Sequence, residues 1–502
     1  MTRSAVLLFN PRSATSKHRI PNSILQLGAA LEGRYNYEFV DGNREADPWA
    51  VIERHLESGR FRYVGVTTMP ALQLKQAIPF TRRIRERWPE IVTVWGGYFA
   101  TNQHRVVLES GWVDYVVAGP GDTAFPALLD ALESGAPLDG IPNLIFRRDG
   151  QIVRTEKEPL LDLDALPPLP YEKLNDTYDM AGYLGSTCLG ERTAAYHSSV
   201  GCPFTCSFCA VVPIYNARWR GKSAQGVYRD VRYLQERFSI DAVEFHDNNF
   251  FVSEKRVVEF ADLVKSDGIG WWGEARIDTM NKYSDDSLRR IRDAGCRMIF
   301  FGAETGNDAV LKEMNKGGTQ SGEQIRAFAE RMGRIGIIPE YSFVLGTPAD
   351  SEDAVWERIE ADIAFIREIK TINPATEIII YVYSPVPTEG SELYAAVRKA
   401  GFAFPETLAD WIDPRWESFD LRKNPMTPWL TPAMVDRIRD FETVLNAYYP
   451  TVSDIKLSPL QRRAIRVASA LRYRTGWYRW AYELRFLQSR WLRYRQPEIE
   501  GF

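Results

Sequence analysis

"GCPFTCSFCA" (201–210) puts three cysteines, Cys202, Cys206 and Cys209, within eight positions of a 502-residue chain that has only two others, Cys188 and Cys296. Packing does not explain such density, because a structural thiol behaves as an isolated small apolar residue, whereas these lie around Pro203 and Ser207. Thiolates hold zinc or iron–sulfur clusters, or act as nucleophiles. Structural zinc takes four ligands, usually as two separated pairs. No fourth candidate lies close by: Cys188 precedes the strand leading into the loop, and Cys296 follows "RRIRDAG", the end of a helix pattern. C-x3-C-x2-C on one loop suits three irons of a [4Fe–4S] cube, with the fourth left open to a substrate or cosubstrate. Zinc and buried structural thiols are the alternatives.

Working outward, strand and helix patterns alternate on both sides of the cysteines. From about residue 190, "TAAYHSSV", "DAVEFHD", "GWWGEARID", "MIFFGAETG", "PEYSFVLGTP" and "EIIIYVYSP" predict six strands of a partial β/α barrel. The site of such a barrel lies at the strands' C-terminal ends, and the cysteines follow the first strand. Upstream, "AVLLFNP" (5–11), "YEFVDGN" (37–43), "YVGVTT" (63–68), "VTVWGG" (92–97) and "YVVAGPGD" (115–122) alternate with helical segments such as 24–33 and 74–88. Five strands with helical crossovers predict a doubly wound parallel sheet, which takes its ligand at the strands' carboxyl ends. Asn43, Thr67, Thr68, Gly96, Gly97, Gly119 and Gly121 lie there, and glycine lets a ligand approach the backbone closely. Between the two halves, "LDLDALPPLPYEKL" (161–174) carries Pro167, Pro168 and Pro170. These hold it extended, exclude a helix, and mark a linker.

Composition is that of an ordinary soluble globular protein, 45% hydrophobic and 25% charged. The net charge of −4 gives no pull toward nucleic acid. No stretch is apolar enough to span a bilayer, and "MTRSAVLLFNPRS" reads as a buried strand, not a signal peptide. Clustered, odd-numbered cysteines argue for a reducing compartment, hence the cytoplasm. The tail differs from the rest, with ten arginines against three glutamates from Ser458 to Phe502. Trp477, Trp480, Leu484, Leu487 and Trp491 recur there at helical spacing, with Arg479, Arg490 and Arg493 opposite. This stripe either packs on the barrel or touches anionic lipid as a peripheral membrane contact.

The cysteine loop after a first barrel strand, with Phe208 just before the third cysteine, resembles the radical S-adenosylmethionine (SAM) superfamily. The resemblance covers roughly 190–395. It implies that the open iron chelates SAM, and that reduction by a donor such as flavodoxin or ferredoxin yields a 5′-deoxyadenosyl radical. "FHDNNFF" (245–251) resembles the second-strand end, with Asp247 facing the site, and "GEARID" (273–278) the third, with Glu274 and Arg276. "FGAETGNDAVLKEMNKG" (301–317) resembles the fourth-strand motif, a turn beginning at Gly302 in which Glu304 binds the SAM amino group or a ribose hydroxyl. "VLGTP" (344–348) and "YSPVPTEGSELY" (383–394) resemble the fifth and sixth strand ends.

The front half, followed by a proline linker and the cysteine loop, resembles the cobalamin (B12)-binding radical SAM enzymes, the group of the anaerobic magnesium-protoporphyrin ester cyclase and class B methyltransferases. Gly119-Pro120-Gly121-Asp122 stands where that group has "GEGE". Cobalamin domains that ligate cobalt use Asp-x-His-x-x-Gly. Around His18 this chain has Ser16 for the Asp and Pro21 for the Gly, so no histidine ligates cobalt and Met69–Leu72 is left to face it. His55 and His104 read as surface residues, and His197 and His246 as barrel core.

The resemblance thus implies a flavodoxin-like cobalamin-binding domain at 1–140, a proline-rich linker at 141–185, a partial (β/α)6 radical SAM core at 186–403 and a helical region at 404–502. The activity implied is a cobalamin-dependent methylation of an unactivated carbon in a small-molecule or lipid-like substrate, through methylcobalamin and the deoxyadenosyl radical. A cyclase, oxidase or rearrangement enzyme with the same cofactors is the alternative. A non-catalytic cobalamin sensor or carrier is a third reading, which an open-iron cysteine triad disfavours.

Overall fold

The computed structural model describes residues 4–14, 18–316, 319–385, 392–417 and 426–492. Short apolar runs in the front half form β1 (Ala5–Asn10), β2 (Tyr37–Asp41), β3 (Phe61–Thr67), β4 (Val92–Gly96) and β5 (Tyr115–Val117). These pair in parallel in the order β2-β1-β3-β4-β5. The order reverses at β1/β3, so the crevice between those strand ends is the switch point. Near-continuous burial along β1 and β3 fits a sheet covered by helices on both faces.

Two further strands, β6 (Leu144–Arg148) and β7 (Gln151–Arg154), add antiparallel beyond β5. These residues fall in the stretch expected to be linker. The hairpin turn is Asp149-Gly150, both with positive φ (51° and 78°), the geometry that matches the twist of a two-residue hairpin. The prolines also do not exclude a helix. Tyr171–Thr177 is helical immediately after Pro170, because proline preceding a helix removes no hydrogen bond the helix needs. Beyond it the connector is laced to the end of β2. The Tyr183 hydroxyl donates to Asp41 Oδ2 (2.7 Å), and the Tyr178 hydroxyl accepts from the Asp41 amide (3.1 Å).

The second sheet starts at β8 (Thr193–Tyr196). A ribbon of β9 (Ser199–Gly201) and β10 (Trp219–Gly221) follows, then β11 (Ala242–Phe245), β12 (Gly270–Ala275), β13 (Met298–Glu304), β14 (Ile338–Leu345) and β15 (Glu377–Val382). Apart from the ribbon, the strands lie in sequence order and all parallel, a six-stranded partial barrel. Five crossover helices begin at a serine whose hydroxyl accepts a backbone N–H: Ser223, Ser253, Ser284, Ser321 and Ser351. Each cap is worth about 1 kcal/mol.

One face of the front sheet shares a continuous core with connector and barrel, including Phe39, Phe125, Tyr183 and Phe245. The other buries Phe9, Trp95 and Phe99 with Leu408, Trp411 and Trp416 from beyond the barrel. Phe99 and Trp411 meet edge to face at 4.9 Å. Residues 408–416 therefore close the front domain's outer core, while helix Pro432–Tyr448 packs on β15 and helix Glu352–Ile372. Among the described residues no helix is long and apolar enough to cross a membrane.

Candidate active site between two sheets

The cysteine loop is closed by the ribbon, with Gly201 opposite Trp219. Gly201 has φ +77°, and a Cβ there would lie 2.1 Å from the Arg218 carbonyl oxygen, so only glycine allows the ribbon to close. Asp247 holds the ribbon's root. It accepts from the Ser198 amide (3.0 Å) and hydroxyl (3.1 Å) and from the Ser199 hydroxyl. Buried Arg256 braces Ser198 from behind, donating to its carbonyl (3.3 Å). The side chain is fully buried in this network, close enough to Glu274 of the barrel interior to act on its charge.

The loop's far side is stapled to the segment after β13. Ser207 donates from its amide to Met314 O (3.1 Å) and from its hydroxyl to Glu313 O (2.8 Å), and Asn315 Nδ2 donates to Thr205 O (2.7 Å). Two cations face the thiols. Arg276, held by Asp278 (2.9 and 2.8 Å), donates from Nη1 to Cys206 Sγ at 2.9 Å and lies 4.1 Å over Phe204. Lys316 Nζ is 5.7 Å from the Phe208 ring. Burial pushes Cys209 up to about 12 and raises Cys202, while Lys316 pulls both down and Arg276 also lowers Cys202. Among the described residues no three His, Cys, Asp or Glu side chains are placed to hold a single metal ion, but a cube takes its thiolates on separate irons. A loop of thiols backed by cations fits an anionic iron–sulfur cluster. Cys296 is buried, with its thiol directed at Met298 O (3.6 Å), and Cys188 is half-buried near Ser453 and Glu377. Both lie outside the loop.

Glu304 ends β13 at φ +65°, where the register with β14 slips. It is buried and paired to Lys316 Nζ at 2.6 Å, and the same ammonium donates to Gly302 O at 2.9 Å. A Cβ on Gly302 would lie 2.3 Å from Glu304 Oε1 and 2.7 Å from Lys316 Nζ, so a side chain there would displace this ion pair. Lys316 was missed in the sequence, although it sits in the quoted 301–317 motif. Nothing in the spacing announced that it would fold back twelve residues. Gly317 lies outside the described residues, as does part of the sixth strand-end motif.

Inside the barrel, alternation turns Glu244, His246, Trp272, Glu274, Phe300 and Glu340 toward a common lumen. Trp272 Nε1 donates to Glu340 Oε2 (3.0 Å) across the intervening strand, and His246 Nε2 lies 3.1 Å from Glu244 Oε2. Arg19 of the front domain reaches Glu244 at 3.7 Å. His197 follows β8 at the lumen's mouth, its ring 6.2 Å from His246. It is exposed, unlike the core residue expected, because β8 has ended there. Burial lowers His246, so it enters as a neutral hydrogen-bonding group; the surrounding protein, His246 and Arg19 also lower His197. Glu274 is pushed up to about 8, first by burial and then by Asp247.

The front sheet presents its strand ends to the same region. Asn102 Nδ2 donates to Ala210 O (3.3 Å), next to Cys209, and Asn22 Nδ2 donates to Ala195 O (3.1 Å). Lys157 Nζ donates to Pro213 O (2.6 Å) and Arg218 Nη1 to Glu158 O (2.8 Å). A cavity at this join is lined by Ala118, Pro120, Asp122, Val200, Ile214 and Arg218. Thr67, Met69, Gly96, Gly97, Gly119 and Gly121 stand on this side and are all at least partly accessible. Gly119 (φ +102°) has only Ile214, at 3.9 Å, where a Cβ would stand, so a broad, flat ligand such as a corrin can rest on bare backbone. Thr68 is buried, its hydroxyl donating to Gly96 O (2.9 Å), and Asn43 Oδ1 accepts from the Ser13 (2.9 Å) and Ala14 (3.1 Å) amides. His18 is partly exposed, while Ser16 and Lys17 lie outside the described residues. His104, expected at the surface, is buried with Nδ1 3.1 Å from Thr101 O, because β7 covers it and brings Arg154 to its ring.

Two measurements test this geometry. Alanine at Cys202, Cys206 or Cys209 should abolish iron–sulfur absorbance and SAM cleavage, whereas Cys188→Ala and Cys296→Ala should retain both. Loss of the cluster in Cys296→Ala would overturn the ligand set. Glu274 ionises at about 8 in the fold against 4.5 unfolded, so the native state binds its proton more tightly and loses stability as pH rises through that window. Glu274→Gln should melt with the wild type near about pH 5 and increasingly above it up to about pH 8.5. A difference that does not grow with pH would contradict the shifted carboxyl.

Comparison with known proteins agrees with this architecture. The chain matches the model of the radical SAM superfamily over residues 196–410 and that of the B12 binding domain over 18–129. It is 26% identical over 377 residues to an uncharacterized methyltransferase of Pyrococcus horikoshii, covering 72% of this chain and 78% of that protein. It is 28% identical over 242 residues to the anaerobic magnesium-protoporphyrin IX monomethyl ester cyclase of Synechocystis, spanning 47% of each. Among solved structures, the cobalamin-dependent SAM radical enzyme OxsB superposes with a TM-score of 0.70 at 14% identity, over 98% of this chain and 75% of that one. With a B12-binding sheet, a radical SAM barrel and a cysteine loop at their join, this chain belongs to the B12-binding radical SAM family and is an enzyme whose cofactors are a [4Fe–4S] cluster, SAM and cobalamin.

Proposed function

We propose that the enzyme methylates an unactivated carbon of a small-molecule or lipid-like substrate. The observation that carries this reading is the join itself: the short helix after β4 of the B12-binding sheet touches the cysteine loop within one residue of Cys209, through Asn102 and Ala210 O at 3.3 Å. When bound, the cluster with SAM supplies a carbon radical that removes a hydrogen atom, and cobalamin supplies a transferable methyl group. The chain's own residues orient and enclose. Arg276 and Lys316 neutralise charge at the thiol loop, and Gly119 leaves backbone bare for a flat ligand. Trp272, Glu274, Glu340, His197 and His246 offer hydrogen bonds to a substrate's polar groups. An electron donor such as flavodoxin or ferredoxin would provide the reducing equivalent. The methyltransferase relative, matched over most of its length, supports methylation. The cyclase relative, matched over about half of its length, supports the alternative of a cyclase, oxidase or rearrangement enzyme with the same cofactors.

With substrate and reductant, turnover should yield S-adenosylhomocysteine and 5′-deoxyadenosine in about equal amounts, and methyl-deuterated SAM should label the product. Deoxyadenosine without S-adenosylhomocysteine, together with an unlabelled product, would replace methylation by the cyclase or oxidase reading. Cobalamin bound to the chain should show base-off spectra that His18→Ala leaves unchanged. A spectral shift in that variant would identify His18 as a cobalt ligand.

A further inference from the structure

We infer that the surface from Ile455 to Trp491 docks the enzyme on an anionic lipid bilayer. Among the described residues, ten of the twelve exposed large hydrophobic side chains lie after residue 450, including Leu460 (80% exposed), Val467 (70%), Leu471 (67%), Trp480 (63%) and Trp491 (70%). Scattered exposed apolar residues need no explanation, but a concentration of them marks an interaction surface.

Helix Pro459–Thr475 buries Ile465, Ser469 and Tyr473 against the protein. Its opposite face carries Leu460, Ala464, Val467, Ala468 and Leu471, an apolar stripe at helical spacing turned to solvent. The turn beyond it is built, not frayed. Buried Arg472 donates to the carbonyls of Arg479 (2.9 Å) and Trp480 (3.2 Å), pairs with Glu483 (2.6 Å) and lies 4.1 Å from the Trp477 ring. Tyr478 is buried, edge to face on Phe441 at 5.1 Å. The fold thus anchors one aromatic inward while holding Trp477 and Trp480 out, each more than half exposed.

Charge decides the occupant. Lys456, Arg463, Arg466, Arg474 and Arg479 are exposed around these residues, and Glu483 is the one exposed acid from Ile455 to Trp491. Tryptophan and arginine beside an apolar helical stripe match the headgroup boundary of an anionic leaflet. A second copy of this chain would bring the same positive charges face to face.

The full-length chain with its cofactors should float with phosphatidylcholine vesicles containing phosphatidylglycerol, and stay behind with phosphatidylcholine alone. Brominated acyl chains should quench part of its tryptophan fluorescence. The double variant L471S/W480S should lose flotation. R463Q/R479Q should bind about thirtyfold more weakly, the worth of two basic residues at such a surface. Unchanged circular dichroism is expected for both, since all four side chains are exposed, and V467E provides a second apolar probe. The proposal fails if the wild type ignores anionic vesicles, binds both compositions alike, or is matched by L471S/W480S and V467E. It also fails if the wild type is a dimer that these substitutions convert to monomer. Vesicle binding needs no turnover, so it stands or falls apart from the methylation reading.

Discussion

A carboxylate without access to water fixes the geometry of the cysteine loop. Burying Asp247 would cost several kcal/mol if it stood alone. It is tolerated because the chain turns sharply after β8 to bring the Ser198 amide, two serine hydroxyls and, behind them, Arg256 to it. That turn carries the chain out of the barrel as a ribbon and places the cysteines at the lumen's mouth. Without a partner network here the loop would have no defined root.

From that root the site is assembled by residues far apart in sequence. Asn315 and Ser207 staple the loop to the fourth strand's exit, Arg276 reaches it from the third, and Lys316 joins the loop's edge to Glu304. The front sheet then covers the mouth through contacts from Asn22, Asn102 and Lys157. Two sheets with their strand ends facing one another leave a single shared space for chemistry.

Both sheets were legible in the sequence, because parallel strands buried on both faces read as short apolar runs separated by amphipathic helices. The C-x3-C-x2-C spacing was legible because no packing logic produces it. The hairpin at 144–154 was absorbed into the stretch read as linker, although its Asp149-Gly150 turn was there to be read. The hydrogen bonds of Asp247 and Thr68 were not legible, because a polar residue at a strand end can reach ligand or backbone, and only neighbours such as Ser198 and Gly96 show which bonds it makes. Lys316 and the lumen carboxylates Glu244 and Glu340 were invisible, because their pairing depends on strands meeting across a barrel.

The return of residues 408–416 to the front sheet has a consequence for biosynthesis. Leu408, Trp411 and Trp416 are part of the core that Phe99 and Trp95 need, so the B12-binding domain, made before the barrel, cannot complete that core alone. It must wait, with an aromatic face bare, while the whole barrel is synthesised, contrary to the usual order in which an N-terminal domain folds first. The nascent chain is in this sense a loop closed from its far end. A chaperone that shields apolar surface would have its longest task on the sheet made ahead of the barrel.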